Sequence, residues 1–426
     1  VTLPQWWYDE LRSLAVRSRQ VVLLAAITGA VTGLAVSLYE LVVVEVLIDT
    51  VLNAPIWAQG LIPVVGLAIT AVILRYGGPN ATPSTSDEYI KRFHDPGERL
   101  SVRRAAARIT ASIATLGSGG ALGLEGPSIY LGATIGSRIH HRLPPRFRGE
   151  SRTLLVAGAA AGVAAIFKAP ATGAVFALEV PYRDDLGRRS LLPALVAAAS
   201  GYLVFVTIEG TAPLLRIEGL SGFELRNLVA AAIVGVLSGL SARWFSSALR
   251  WAKKYGTETN PMLKVVLAGT ATVTVFIIGR LATGESLTLE NGLGVVNWAL
   301  DPEQTVWLLV VVFGLRFVAT TASVAGGGVG GLFIPLVVAG ALLGRAVGGL
   351  VDSSEESLFA VVGIAAFLSA GYRVPLAAIM FVAETTGRPS FIVPGVIAAV
   401  AAELVAGSAS VTPYKRAPDY LGTNES

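Results

Sequence analysis

The sequence predicts an all-α polytopic membrane protein made of two similar halves. Composition is the first observation behind this: of 426 residues, 53% are hydrophobic and 15% charged, with a mean hydropathy of +0.64. An average soluble domain carries roughly 25% charged residues, and one water-excluding core cannot hide so large an apolar excess. Second, Val21 to Tyr39 and Phe317 to Gly344 contain no Asp, Glu, Lys or Arg, and each exceeds the roughly 18 residues that suggest a membrane helix. Third, the chain repeats itself internally.

Along the chain, Val1 to Gln20 carries Trp6, Trp7 and Tyr8 beside mixed charges, which predicts an interfacial helix and not a cleavable signal peptide. Residues 21–208 form a first membrane repeat, 209–226 a linker, 227–414 a second repeat and 415–426 a short tail with no regulatory module expected. Within the repeats, Val265 to Gly279, Leu358 to Tyr372 and Ser390 to Ala402 are short apolar runs, as in tilted, broken or re-entrant helices. Gly77 to Arg104 and Gly284 to Thr305 read as polar tethers like the linker. Basic residues cluster between apolar segments, at Arg138 to Arg152, Arg183 to Arg189 and Arg250 to Lys254, as in cytoplasmic loops under the positive-inside bias. The excess of 33 Lys and Arg over 29 Asp and Glu is therefore loop charge, and no long basic tract points to nucleic acid. The absence of cysteine excludes disulfides and thiolate sites, and three histidines, His94, His140 and His141, leave little for a zinc centre. No cofactor or metal is expected.

Val156 to Val180 aligns without gaps on Val361 to Thr385, an offset of 205. Identities include Gly158/Gly363, Pro170/Pro375, Phe176/Phe381 and Glu179/Glu384, with Lys168 matching Arg373. Upstream, Gly123-Leu-Glu-Gly-Pro127 lies over Gly331-Leu-Phe-Ile-Pro335 at an offset of 208. Repeated halves of transporters often insert with opposite topology and hold substrate between them at the bilayer midplane.

Gly117 to Pro127 reads GSGGALGLEGP, in which glycines permit close backbone approach and Pro127 suits the first turn of a helix. The free amides and positive dipole end of such a helix favour an anion. Glu125 there is either an internal competitor that leaves on protonation or a capping glutamate that completes the helix start. Its repeat mate, Phe333, leaves the Phe333 and Ile334 amides without a carboxylate, either as an anion site or as a packing turn. The glycines at Gly326 to Gly331 lack the GK[ST] ending of a phosphate loop.

GLEGP at Gly123 to Pro127 and GLFIP at Gly331 to Pro335 resemble two motifs of the CLC family of chloride channels and chloride/proton antiporters, and the segment ending at Glu179 resembles the helix pair that follows the first. The resemblance covers Arg75 to Tyr414. It implies the CLC fold, two inverted-topology repeats of tilted and broken helices, in a homodimer with one anion pathway per subunit, in the lipid bilayer of a prokaryotic plasma membrane. It implies chloride, and other small anions such as nitrate, as the transported ligand, with Glu125 as gate. The family's GSGIPE motif falls here on Pro83 to Glu88, which assigns the anion-binding hydroxyl to Ser84, with Thr85 and Ser86 as alternatives; on its residues alone PSTSDE is also a plain helix N-cap. Tyr414, otherwise an interface anchor, takes the family tyrosine's place, and the Gly126, Phe333 and Ile334 amides complete the implied site.

The position matching the family's proton-accepting glutamate is Val180. Valine binds no proton, so passive chloride conduction is expected ahead of proton-coupled antiport, which needs another route through Glu179 or water. Glu179 and Glu384 share one repeat position, and their simpler reading is a structural carboxylate satisfied by backbone donors. An intramembrane enzyme is the distant alternative, for which neither HExxH nor GxSxG is present.

Overall fold

A computed structural model describes residues 5–95, 100–145, 151–215, 224–351 and 356–417, with no β-strand among them. The first helix, α1 (Gln5–Glu40), is continuous. It joins the expected interfacial segment to the first apolar stretch, because nothing between Gln5 and Thr28 breaks a helix, and residue 20 marks no structural boundary. Val1 to Pro4 lie outside the described residues. A π-helical stretch, Leu41–Ile48, carries α1 into α2 (Asp49–Leu52). α3 (Ile56–Val72) then leads to α4 (Thr85–His94), so the first polar tether contains a short helix. The half is completed by α5 (Val102–Gly117), α6 (Glu125–Arg142), α7 (Ser151–Phe167), α8 (Pro170–Glu179) and α9 (Leu191–Glu209).

The second half begins with α10 (Leu225–Glu258) and α11 (Pro261–Thr283). The run from Val265 to Gly279, expected in a tilted, broken or re-entrant helix, lies inside the unbroken 23 residues of α11. Its ends explain the extra length: the Asn260 side chain accepts from the Met262 amide at 2.9 Å, Pro261 supplies a preset first turn, and Gly284 ends the helix at φ 76°. α12 (Leu293–Ala299) sits in the second tether. The uncharged stretch from Phe317 to Gly344 is not one span: residues 326–332 divide α13 (Val306–Ala325) from α14 (Phe333–Val351). α15 (Glu356–Leu368) ends in a π-helical turn, Ser369–Arg373, before α16 (Pro375–Thr386) and α17 (Ile392–Ala406).

The repeat is structural. α6, α7 and α8 correspond to α14, α15 and α16, and Lys168 and Arg373 both take left-handed backbone, at φ 52° and 57°. Each then caps the end of a helix in its own half: Lys168 Nζ donates to Glu209 O at 3.1 Å, and Arg373 Nη1 donates to Gly407 O. Glycine sets the helix crossings. A Cβ on Gly132 of α6 would fall 2.0 Å from Gly158 O of α7, and one on Gly340 of α14 would fall 2.3 Å from Gly363 O of α15. Small residues let the backbones approach where lipid supplies no hydrophobic drive.

Eight helical segments among the described residues are long and apolar enough to cross a membrane. α14 is the central one, with 78% of its apolar window buried against 33% for α3 and α11. Outward faces such as Leu23, Leu203, Leu281 and Leu404 are exposed apolar surface. The two halves meet at an antiparallel bridge in which Gly123 N donates to Gly331 O at 2.9 Å and Gly331 N to Gly123 O at 2.6 Å.

Candidate functional site

That bridge brings the N-termini of α6 and α14 together. Glu125 begins α6, is 1% exposed, and reaches across so that its Oε1 accepts from the Phe333 amide at 2.6 Å. The Ile334 amide and Glu125's own amide also face the carboxylate. The carboxylate is held in a slot between glycines: a Cβ on Gly123 would lie 1.9 Å from Oε2, and one on Gly331 2.0 Å from Oε1. Gly126 is as tightly fixed, since its Cβ would lie 2.7 Å from Gly331 Cα. A negative group thus already occupies the amides that two helix N-termini offer. Oε2 is buried without a hydrogen bond, so one side of the carboxylate is unpinned.

Three consecutive hydroxyls near the start of α4 take different positions. Ser84, the N-cap residue, makes no side-chain capping bond and lines a cavity of about 280 Å³. Thr85 is fully buried with its Oγ1 unbonded, 2.8 Å from where a Gly126 Cβ would be. Ser86 lies beside the Tyr372 hydroxyl. The cavity is also lined by Lys91, Arg250, Lys253, Lys254, Leu332 and Tyr414. Of its lining charges, Asp87 pairs with Lys253 at 2.7 Å, leaving the cavity net positive. Tyr414 is 40% exposed, with Lys91 Nζ 4.1 Å from its ring centroid. The structure therefore brings Glu125, Gly126, Phe333 and Ile334 into one junction, and Ser84 and Tyr414 onto a cavity that Leu332, next to Phe333, also lines.

Tyr372 was missed by the sequence reading. Its ring is buried against Phe176 and Phe333, at centroid separations of 5.4 and 6.3 Å. The repeat alignment held the one available signal, since Tyr372 stands where the first half has Phe167.

A family model described as voltage gated chloride channel matches residues 65–407. The chain belongs to this family, the CLC family. The H(+)/Cl(-) exchange transporter ClcA of Salmonella paratyphi B is 28% identical over 424 residues, covering 93% of this chain and 88% of the relative. ClcA of Citrobacter koseri has the same identity and coverage. Among solved structures, a slow cyanobacterial Cl-/H+ antiporter superposes with a TM-score of 0.78 at 22% identity over 91% of this chain and 94% of that one. A CLC-type fluoride/proton antiporter gives 0.80 at 20% identity, over 93% and 98%. The expected fold is therefore found, and this CLC protein is an integral, multi-pass membrane protein.

Elsewhere in this CLC chain, Val180 is 1% exposed and follows the last residue of α8. The preceding Glu179 accepts from the Leu376 and Ala377 amides at 3.1 and 2.8 Å, and Glu384 accepts from the Ala171 and Thr172 amides at 2.9 and 2.6 Å. Both carboxylates thus have the backbone donors of the simpler reading.

Proposed function

We propose that this chain conducts chloride and related small anions passively across the plasma membrane of a prokaryote, as a homodimer with one pathway per subunit and Glu125 as the gate. The observation that carries this is the bond from the Phe333 amide to Glu125 Oε1, because the carboxylate fills the anion-attracting point where the two helix N-termini meet. Protonation removes the charge that holds it there, and an anion then takes the amides. The cation-lined cavity beside Ser84 draws anions toward the junction from the inner side. Ser84, Tyr414 and the Gly126, Phe333 and Ile334 amides serve as neutral donors, weak enough for ions to leave.

Passive conduction rests on Val180, which has no group to carry a proton inward. Proton-coupled exchange is the second reading, favoured by relatives described as H(+)/Cl(-) exchange transporters. Purified protein in liposomes distinguishes them, with chloride efflux and external pH followed together at clamped membrane potential. Chloride efflux without uphill proton movement supports the passive reading, whereas proton pumping that disappears in Glu125→Ala establishes exchange.

A further inference from the structure

We propose that the Tyr372 hydroxyl is an anion ligand on the inner side of Glu125, and that Ser86 positions it. This deepens the anion-pathway reading and rests on it.

Tyr372 lies at the junction, its ring centroid 6.3 Å from that of Phe333. The π-helical turn Ser369–Arg373 and the left-handed Arg373 aim its ring inward, at 2% exposure, onto Phe176 and Phe333. Those phenylalanines belong to an aromatic cluster with Phe167 and Phe381, whose rings lie 4.5 and 5.0 Å from that of Phe333. Each of these four phenylalanines is at most 1% exposed. Tyr372 brings the only hydroxyl into this group of five rings. A buried hydroxyl among phenyl rings is costly unless it is bonded. Here it meets Ser86 and the Leu332 backbone.

Position gives that hydroxyl its role. Leu332 lines the cavity that also holds Ser84, and the next residue, Phe333, donates its amide to Glu125. Tyr372 also lies within electrostatic reach of Glu125 and Asp87. Its hydroxyl is therefore placed beside the backbone that joins the cation-lined cavity to the gate, where a chloride moving between the two would meet it.

The repeat supports a specific function over plain packing. At the crossing, the first half contributes Glu125 where the second has Phe333, and the second contributes Tyr372 where the first has Phe167. Each half thus supplies one polar group and one phenyl ring to the same junction, so a symmetric core would need no hydroxyl at position 372. Tyr39 offers a contrast. It too lies in the field of Glu125, but its hydroxyl is 2.9 Å from Ser112 Oγ, which ties α1 to α5.

The test is chloride binding by calorimetry on the purified full-length protein, with chloride flux from liposomes in parallel. Tyr372→Phe preserves the ring and removes only the hydroxyl. Its chloride dissociation constant is expected to rise about tenfold, the scale of one hydrogen bond to a charged group, while Tyr39→Phe stays within about twofold of wild type, below the scale of any such bond. Unchanged affinity and flux in a monodisperse Tyr372→Phe protein overturn the assignment. If that variant does not fold, Ser86→Ala reads the same pair, with weaker chloride binding expected and unchanged binding overturning it. Wild-type protein that neither binds nor moves chloride overturns the anion-pathway reading itself, and this assignment with it.

Discussion

Glu179 and Glu384 cap each other's half of the molecule. The first, at the end of α8, accepts the amides that open α16; the second, near the end of α16, accepts those that open α8 and also the Thr172 hydroxyl at 2.7 Å. α8 and α16 thus pack as an antiparallel pair, each supplying the negative charge that the other's N-terminus lacks. Glu384→Ala leaves the Ala171 and Thr172 amides without their acceptor. It is expected to cost about 2 kcal/mol, with Glu384→Gln costing less because its amide oxygen still accepts. Thermal unfolding in detergent measures this, and a Glu384→Ala protein that melts with the wild type would remove the cap from any account of stability.

The glycine crossings make a symmetric prediction. Gly340→Ala drives a methyl group to 2.3 Å from the Gly363 carbonyl, and Gly132→Ala drives one to 2.0 Å from Gly158. Backbone cannot yield as a side-chain tip does, so α14 and α15, or α6 and α7, must separate. Each variant is expected to lose roughly 1–3 kcal/mol, the range for overpacking, seen as a lowered Tm. By contrast, Gly314→Ala of α13 meets nothing within 4 Å and is expected to melt like wild type.

Local chemistry was legible in the sequence, and contacts across the chain were not. The repeat and its two GLxxP segments sit in unbroken stretches, so Glu125, Phe333 and the pairing of Glu179 with Glu384 could be read by offset alone. Helix lengths were less legible, because charge-free runs stop at charged or polar side chains while helices stop at caps: α11 outlasts the run from Val265 to Gly279, and glycines cut the one from Phe317 to Gly344. Tyr372 escaped notice because its place depends on a π-helical turn bringing the second half against Ser86 in the first. No local pattern encodes that meeting.

His94 links the end of α4 to the segment after α8, with Nε2 2.7 Å from Pro181 O and the ring edge-on to Phe93 and Tyr182. Burial pushes its pKa below the ordinary 6.5, partly offset by the Pro181 carbonyl and by Asp95, with Arg416 and Arg152 reinforcing the drop. Since the folded protein favours the neutral ring, its stability contribution is full above pH 6.5 and is lost as pH falls through the lowered folded value. His94→Gln, which keeps a donor for Pro181 O and does not titrate, is expected to flatten the fall in Tm on acidification. An unchanged pH slope would assign the acid sensitivity to other groups.

Glu125 makes the functional prediction. While ionised, the carboxylate accepts the Phe333 amide and excludes any anion from the same donor. Protonation weakens that hydrogen bond, so acidification is expected to raise chloride flux. Glu125→Gln keeps nearly the shape of the side chain and fixes it in the neutral state. Replacing a charge-assisted bond by a neutral one weakens the hold by about 1 kcal/mol or more, so flux at neutral pH is expected to rise several-fold, up to about tenfold. The same flux is expected to persist as the medium is acidified. Liposome efflux at a series of external pH values, with wild type alongside, measures both properties. A Gln variant with the full wild-type pH response would move the gate to another group, and one with abolished flux would make the carboxylate a part of the conduction path instead of its stopper.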